Sequence, residues 1–182
     1  VAVAPDQTPT LPDLWLLSDA RNDAALEHSL AALPPGSGFV FRHYHLAEAE
    51  RRARFAALAA LAREHGHLVV LSDDPAHARE WGADGVYGSA AQIAGAGVLA
   101  IATAHDEAEI VAAADAGADA IMLSPVFATR SHPGGKALGA TQFHALVSRS
   151  PLPVIALGGM DAGRARQLGW PSWAAIDGLT AN

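Results

Sequence analysis

The chain contains no cysteine, so neither a disulfide nor a thiolate-bound metal can hold it together. A reducing compartment is compatible with that composition. Basic residues are scarce: 12 Lys and Arg stand against 19 Asp and Glu, a formal net charge of -7, and only Arg51, Arg52 and Arg54 cluster. This balance lacks the positive footprint that nucleic-acid binding requires, so no nucleic acid is expected as partner. No apolar run reaches a membrane-spanning length, since stretches such as Phe55 to Ala62 are alanine-rich and bounded by arginine, so no membrane partner is expected. Val1 to Pro12 has no basic start followed by an apolar core and does not read as a secretory signal. The expected localisation is cytoplasmic. What is present, 182 residues at 51% hydrophobic, suits a single domain over residues 1–182. Such a domain buries roughly 70% of its unfolded surface without a staple.

Short apolar runs alternate with alanine-rich stretches of helical period, the pattern of a parallel sheet covered by helices. Strands are predicted at Leu14 to Ser18, Gly38 to Arg42, Leu68 to Leu71, Gly85 to Tyr87, Val98 to Ala102, Ala120 to Leu123, Val154 to Leu157 and Trp173 to Ile176. Helices are predicted at Asp23 to Leu33, Ala47 to Glu64, Pro75 to Trp81, Asp106 to Ala116, Thr141 to Ser148 and Asp161 to Leu168. In the second, Phe55, Leu58 and Leu61 form the buried stripe, which leaves Glu50, Arg51, Arg52 and Glu64 for solvent. Gly82-Ala83-Asp84-Gly85-Val86 recurs as Gly117-Ala118-Asp119-Ala120-Ile121, each copy leaving a helix and entering a strand. Glycine suits the left-handed residue that ends a helix, and aspartate can bond the turn. Eight strands and a repeated turn favour an α/β fold, a (β/α)8 TIM barrel, over an open doubly wound sheet. It is compact: only Ile93 to Gly97 separate strands four and five, and the final helix is short or missing. A partner subunit could cover the face an eighth helix leaves, so a homodimer is a possible assembly.

In a parallel barrel the reacting groups lie at the carboxyl ends of the strands. Here those positions carry Asp19, Arg42, His43, Ser72, Asp73, Asp74, Tyr87, Thr103, His105, the loop Pro125 to Gly139, Gly158-Gly159 and Asp177-Gly178. The long loop combines Thr129, Arg130, Ser131, His132 and Lys136 with Gly134 and Gly135, which suits an anionic, phosphate-bearing substrate. Gly158-Gly159, between an apolar strand and a helix, would let backbone N–H groups approach a phosphate. Asp74 precedes Pro75 as a helix cap.

Several segments then resemble one family. Leu14 to Asp19 is similar to the first strand of thiamine phosphate synthases and their thiazole tautomerase relatives, and Ala83 to Tyr87 to the fourth. Ala118-Asp119-Ala120-Ile121-Met122-Leu123-Ser124-Pro125-Val126-Phe127-Ala128-Thr129-Arg130-Ser131, followed by Gly139 and by Pro153 to Met160, is the most specific match. The resemblance implies a transferase of thiamine biosynthesis. It would couple hydroxymethylpyrimidine pyrophosphate to a thiazole phosphate, releasing pyrophosphate through a pyrimidine carbocation that the thiazole nitrogen captures. It also implies Mg2+ as cofactor and small phosphorylated heterocycles as the molecules bound.

By motif position, the resemblance assigns Arg42 to pyrophosphate, Asp73 to magnesium, Thr129 and Ser131 to the pyrophosphate and thiazole end, and Gly158 and Gly159 to the thiazole phosphate. Thr103 stands where a serine is usual, His132 stands at the loop lysine with Lys136 as its stand-in, and Asp177 with Gly178 occupies the last phosphate position, where a serine is usual. Val40 and Tyr44 replace the glutamine and lysine around the arginine, Ser72 replaces an asparagine, and Gln92 falls where a second magnesium carboxylate is expected. A tautomerase is the alternative; its acid/base histidine falls on Pro125, leaving His105 or His132 to serve. A noncatalytic barrel binding a phosphate or thiamine precursor is the third reading.

Overall fold

The computed structural model describes residues 10–131 and 133–180. The apolar runs form β1 (Leu14–Leu17), β2 (Gly38–Phe41), β3 (Leu68–Leu71), β4 (Gly85–Gly88), β5 (Leu99–Ala104), β6 (Ala120–Leu123), β7 (Val154–Ala156) and β8 (Trp173–Ala175). They pair in sequence order, all parallel, and β8 closes on β1. The eight-stranded barrel is therefore the observed architecture, and the open sheet is excluded. Between strands run α1 (Leu26–Ala32), α2 (Glu48–Glu64), α3 (Pro75–Trp81), α4 (Ala90–Ile93), α5 (Glu107–Asp115), α6 (Gly139–Val147) and α7 (Ala162–Leu168). After β8 the described residues hold one 3-10 turn, Asp177–Leu179.

Side chains alternate along each strand between two cores. Trp15 and Leu17, with Val40, Val70, Ile101, Met122 and Ile155, fill the barrel interior, while Leu16, Phe39 and Phe41 face outward onto the helices. Trp15 is fully buried, and its neighbours in register are Gly38 on β2 and Ala174 on β8, both small enough to leave it room. Its indole N–H donates to the Pro12 carbonyl at 2.6 Å.

The repeated Gly-Ala-Asp phrase acts at the opposite end from the site. Gly82 caps α3 at φ 74°, and Gly117 follows α5 at φ 81°. Asp84 gives its N–H to the Val69 carbonyl and accepts the Val69 N–H on Oδ2, each at 2.8 Å. Asp119 does the same with Ala100, again at 2.8 Å in both directions. Each aspartate is thus a two-point clamp on the preceding strand. The expectation that it would bond its own turn is replaced by a bond between strands.

Two helix readings are corrected. The segment between β4 and β5 contains α4, started by a capping box in which Ser89 and Gln92 bond reciprocally. A helix of one turn has too few positions to display a period. The second correction concerns α2, where Arg51 is buried, not solvent-facing. Its long side chain runs back from the first turn to the loops after β2 and β3.

Packing around Trp15 leaves no tolerance at the facing glycine, because a Cβ added to Gly38 would lie within the indole ring. Gly38→Ala is expected to cost about 1–3 kcal/mol, the usual range for overpacking. Urea unfolding followed by far-UV dichroism measures it.

Candidate functional site

The carboxyl ends of the strands open into a cavity of about 340 Å³. Of the residues assigned by position, Arg42, Thr103, Thr129, Ser131, Gly158, Gly159, Asp177 and Gly178 line it together. Lys136 lies exposed outside that lining. The His132 assignment lies outside the described residues. Arg21, Tyr44, Tyr87, His105, Ser124 and Met160 also line the cavity. Of these, Arg21, Tyr44 and Met160 were not assigned any part from sequence. Arg21 stands two residues beyond Asp19 in the loop after β1, and that adjacency is the signal that could have found it.

Charge at the mouth is arranged around two carboxylates. Asp19 lies 3.2 Å from Arg21 and 3.8 Å from Arg42, while Asp177 lies 3.1 Å from Arg130 and 3.9 Å from Arg21. Arg21 also donates to the Ser131 hydroxyl at 3.0 Å, tying the β6–α6 loop to the loop after β1. Asp177 therefore brings its negative charge already paired, which lessens its repulsion of a phosphate. The Arg42 guanidinium makes no hydrogen bond among the described residues and stacks at 5.6 Å over the Tyr44 ring. Its donors are available to an anion. Tyr87, nearly buried, has its phenol pushed up to about 12 by burial, so it stays protonated and can donate.

Gly158 and Gly159 have positive φ, 96° and 62°. A Cβ on Gly158 would stand 2.6 Å from the Pro125 Cα, and one on Gly159 would stand 2.5 Å from the Ala128 carbonyl oxygen. Their first role here is to let the β6–α6 loop lie against the turn after β7. The Gly158 carbonyl accepts from the Phe127 N–H at 3.0 Å, securing that contact. Gly178 is equally enclosed, by the Met160 carbonyl.

Asp73, the position the resemblance gives to magnesium, already has partners of its own. Asp73 is not in the cavity lining, and both its oxygens are engaged. One is ion-paired with Arg51; the other accepts the Asp74 N–H at 2.8 Å and faces His77 Nδ1 at 3.0 Å. Arg51 further donates to the carbonyls of Arg42 at 2.9 Å and Ser72 at 2.8 Å. Asp73, Asp74 and His77 are close enough to share an ion. A dication there would stand beside the buried guanidinium of Arg51 and compete with it for the same carboxylate. Gln92, at the position of the second carboxylate, spends its side chain on the Ser89 N–H at 2.9 Å. An ion at this loop would have Asp73, Asp74 and His77 as its candidate ligands, with Arg51 as competitor for the first. Asp74 caps α3 as expected, accepting from Ala76 and His77.

A thiamine monophosphate synthase model matches residues 15–172. The chain belongs to the thiamine monophosphate synthase family. It is 34% identical over 176 residues to the thiamine-phosphate synthase of Chromobacterium violaceum, covering 90% of this chain and 83% of that protein. It is 32% identical over 173 residues to the thiamine biosynthesis bifunctional protein ThiM/ThiE of Symbiobacterium thermophilum, again covering 90% of this chain. The chain spans only 35% of that bifunctional relative. Among solved structures it resembles the thiamine phosphate pyrophosphorylase of Pyrococcus furiosus, with a TM-score of 0.77, 22% identity and coverage of 94% and 89% of the two chains. That structural likeness carries the fold. No helix among the described residues is long and apolar enough to cross a membrane.

The Asp73 cluster sets an acid limit on stability. Burial raises the Asp73 carboxyl, but the hydrogen bonds from His77, Arg51 and the Asp74 N–H outweigh it, leaving the group below its ordinary 3.8. A depressed carboxyl contributes stability above its unfolded pKa, and the contribution is lost as pH falls through the folded value. Urea unfolding is thus expected to show a loss of stability below pH 3.8 that shrinks in Asp73→Asn. The same variant should cost about 1–3 kcal/mol at pH 7, because Arg51 loses its charged acceptor. An unchanged midpoint would mean that Asp73 does not hold these loops together.

Proposed function

We propose that the chain performs the coupling reaction of its family, joining a hydroxymethylpyrimidine diphosphate to a thiazole phosphate with release of diphosphate. The observation that carries the reading is the Arg42 guanidinium, near Asp19 but without a side-chain hydrogen bond among the described residues, lining one cavity with the hydroxyls of Thr103, Ser124, Thr129 and Ser131. Departure of diphosphate builds negative charge, and preorganised donors stabilise it as it forms. Arg42 meets the departing group, and the loop hydroxyls complete its cradle. Tyr87, Leu157, Met160 and Ile176 supply apolar wall for two flat heterocycles and keep water from a carbocation. The Tyr44 ring, held at the mouth beside Arg42, stands where the family resemblance expects a lysine. Magnesium, when bound with the diphosphate, would supply positive charge to the departing group, with Asp73 the carboxylate that the resemblance offers it.

A product assay with both substrates tests the reading directly. Arg42→Ala is expected to lower turnover at least ~100-fold, in the range seen when one transition-state donor is removed. Its dichroism spectrum should stay unchanged. Near-normal turnover in that variant would sink the mechanism.

One observation favours a second reading, isomerisation of a thiazole phosphate. His105 lines the cavity, and its Nδ1 lies 2.7 Å from Glu109 Oε2, a carboxylate–imidazole pair that leaves Nε2 for proton transfer. Activity that persists with a chelator present and disappears in His105→Gln would select it. Loss of coupling in Arg42→Ala with His105→Gln unaffected selects the synthase.

A further inference from the structure

The residue after Arg42 is conformationally costly. His43 is the sole non-glycine residue with positive φ among the described residues, at 43°, and it is 1% exposed. A bulky side chain in that region persists only where its surroundings over-determine it. Both ring nitrogens are engaged: Nδ1 lies 2.8 Å from the Ser18 Oγ on the loop after β1, and Nε2 lies 2.8 Å from Asp23 Oδ1. The ring stacks on Phe41 at 4.7 Å and 12°. Asp23 is held in turn by Arg54, whose Nε donates to it at 2.9 Å.

The proton positions follow from the donors. The Arg42 backbone N–H can only donate, and it donates to the Ser18 Oγ at 2.8 Å. Ser18 is fully buried, so its own hydroxyl proton must find an acceptor, and Nδ1 of a neutral His43 is the one in reach. Nε2 then carries the ring proton and donates to Asp23. Burial pushes His43 below the ordinary imidazole range against the pull of Asp23, which favours the same neutral form. A protonated ring would leave the Ser18 hydroxyl proton without an acceptor.

We propose that His43 is a positioning residue of the anion site: through Ser18 and Asp23 it turns the chain at the end of β2 so that the Arg42 guanidinium faces the cavity. The inference rests on reading the cavity as a site for a phosphate-bearing substrate. His43 itself touches no ligand, since it does not line the cavity. Its effect passes through the Arg42 backbone, one residue away.

Calorimetric titration of the whole chain with inorganic sulfate, a dianion with no competing titration near neutral pH, separates the two claims. Arg42→Ala reports on the site, and His43→Gly and His43→Asn report on the positioning. Glycine accepts the positive φ but offers Ser18 no acceptor. Asparagine tolerates the same backbone and places an oxygen near the position of Nδ1. His43→Gly and Ser18→Ala are expected to weaken sulfate about tenfold, equivalent to about 1.4 kcal/mol, with His43→Asn restoring most of the affinity. If His43→Gly binds as tightly as the native chain while Arg42→Ala does not, the positioning role is refuted and the anion site stands. If Arg42→Ala also binds normally, both fail. Should the variants not fold, imidazole nitrogen NMR of the native protein at pH 7 decides: a neutral ring protonated on Nε2 supports the relay, and an imidazolium or an Nδ1-protonated ring overturns it.

Discussion

The barrel depends on where one indole is allowed to sit. Eight short strands can close on one another only if their inward side chains fill the interior without forcing the strands apart. Trp15 supplies much of that volume from β1, and the strands on either side answer with Gly38 and Ala174. Because β1 is also the strand on which β8 closes, this fit governs the seam of the barrel. It also fixes the loop after β1, from which Asp19 and Arg21 reach the mouth while Ser18 holds the end of β2 from beneath. Packing within the barrel and chemistry above it are thus joined through one strand.

The two ends of the barrel are treated differently. At the amino ends, Asp84 and Asp119 hold neighbouring strands by the same pair of backbone bonds, a local solution used twice. At the carboxyl ends, among the described residues, that clamp gives way to aspartate caps, Asp74, Asp106 and Asp161 on α3, α5 and α7. The loops are joined to one another by individual contacts: Arg51 joins the loops after β2 and β3, Arg21 joins the loops after β1 and β6, and glycines let the loops after β6 and β7 touch. Guanidinium groups dominate these ties because a planar fork can bond a carboxylate and several carbonyls at once.

This difference explains what could be read from the sequence. The strands were legible because each is a short apolar run bounded by turn residues, and most cavity residues were legible because a parallel barrel places them at strand ends. Helical period assigned Arg51 to solvent, since period records the direction of a Cβ and not the reach of a long side chain. Asp73 was assigned by position in a motif, and position carries no information about the cation already beside it. His43 is legible only as a polar residue at the end of a strand; its backbone conformation, the property that matters, leaves no mark in composition or spacing. For Arg21, adjacency to Asp19 marks the loop, but it does not show that the side chain crosses to Ser131.

The contacts of Arg51 bear on how this chain could change. A carboxylate released from one partner is free for another, but Asp73 is held by a guanidinium that two backbone carbonyls also anchor. Removing Arg51 to free Asp73 would leave those carbonyls without their donor, and keeping it leaves the carboxylate spent. Through Arg51 the position of the Asp73 carboxylate is therefore tied to the backbone of both loops. The loop is trapped in its present chemistry by the mutual dependence of its contacts.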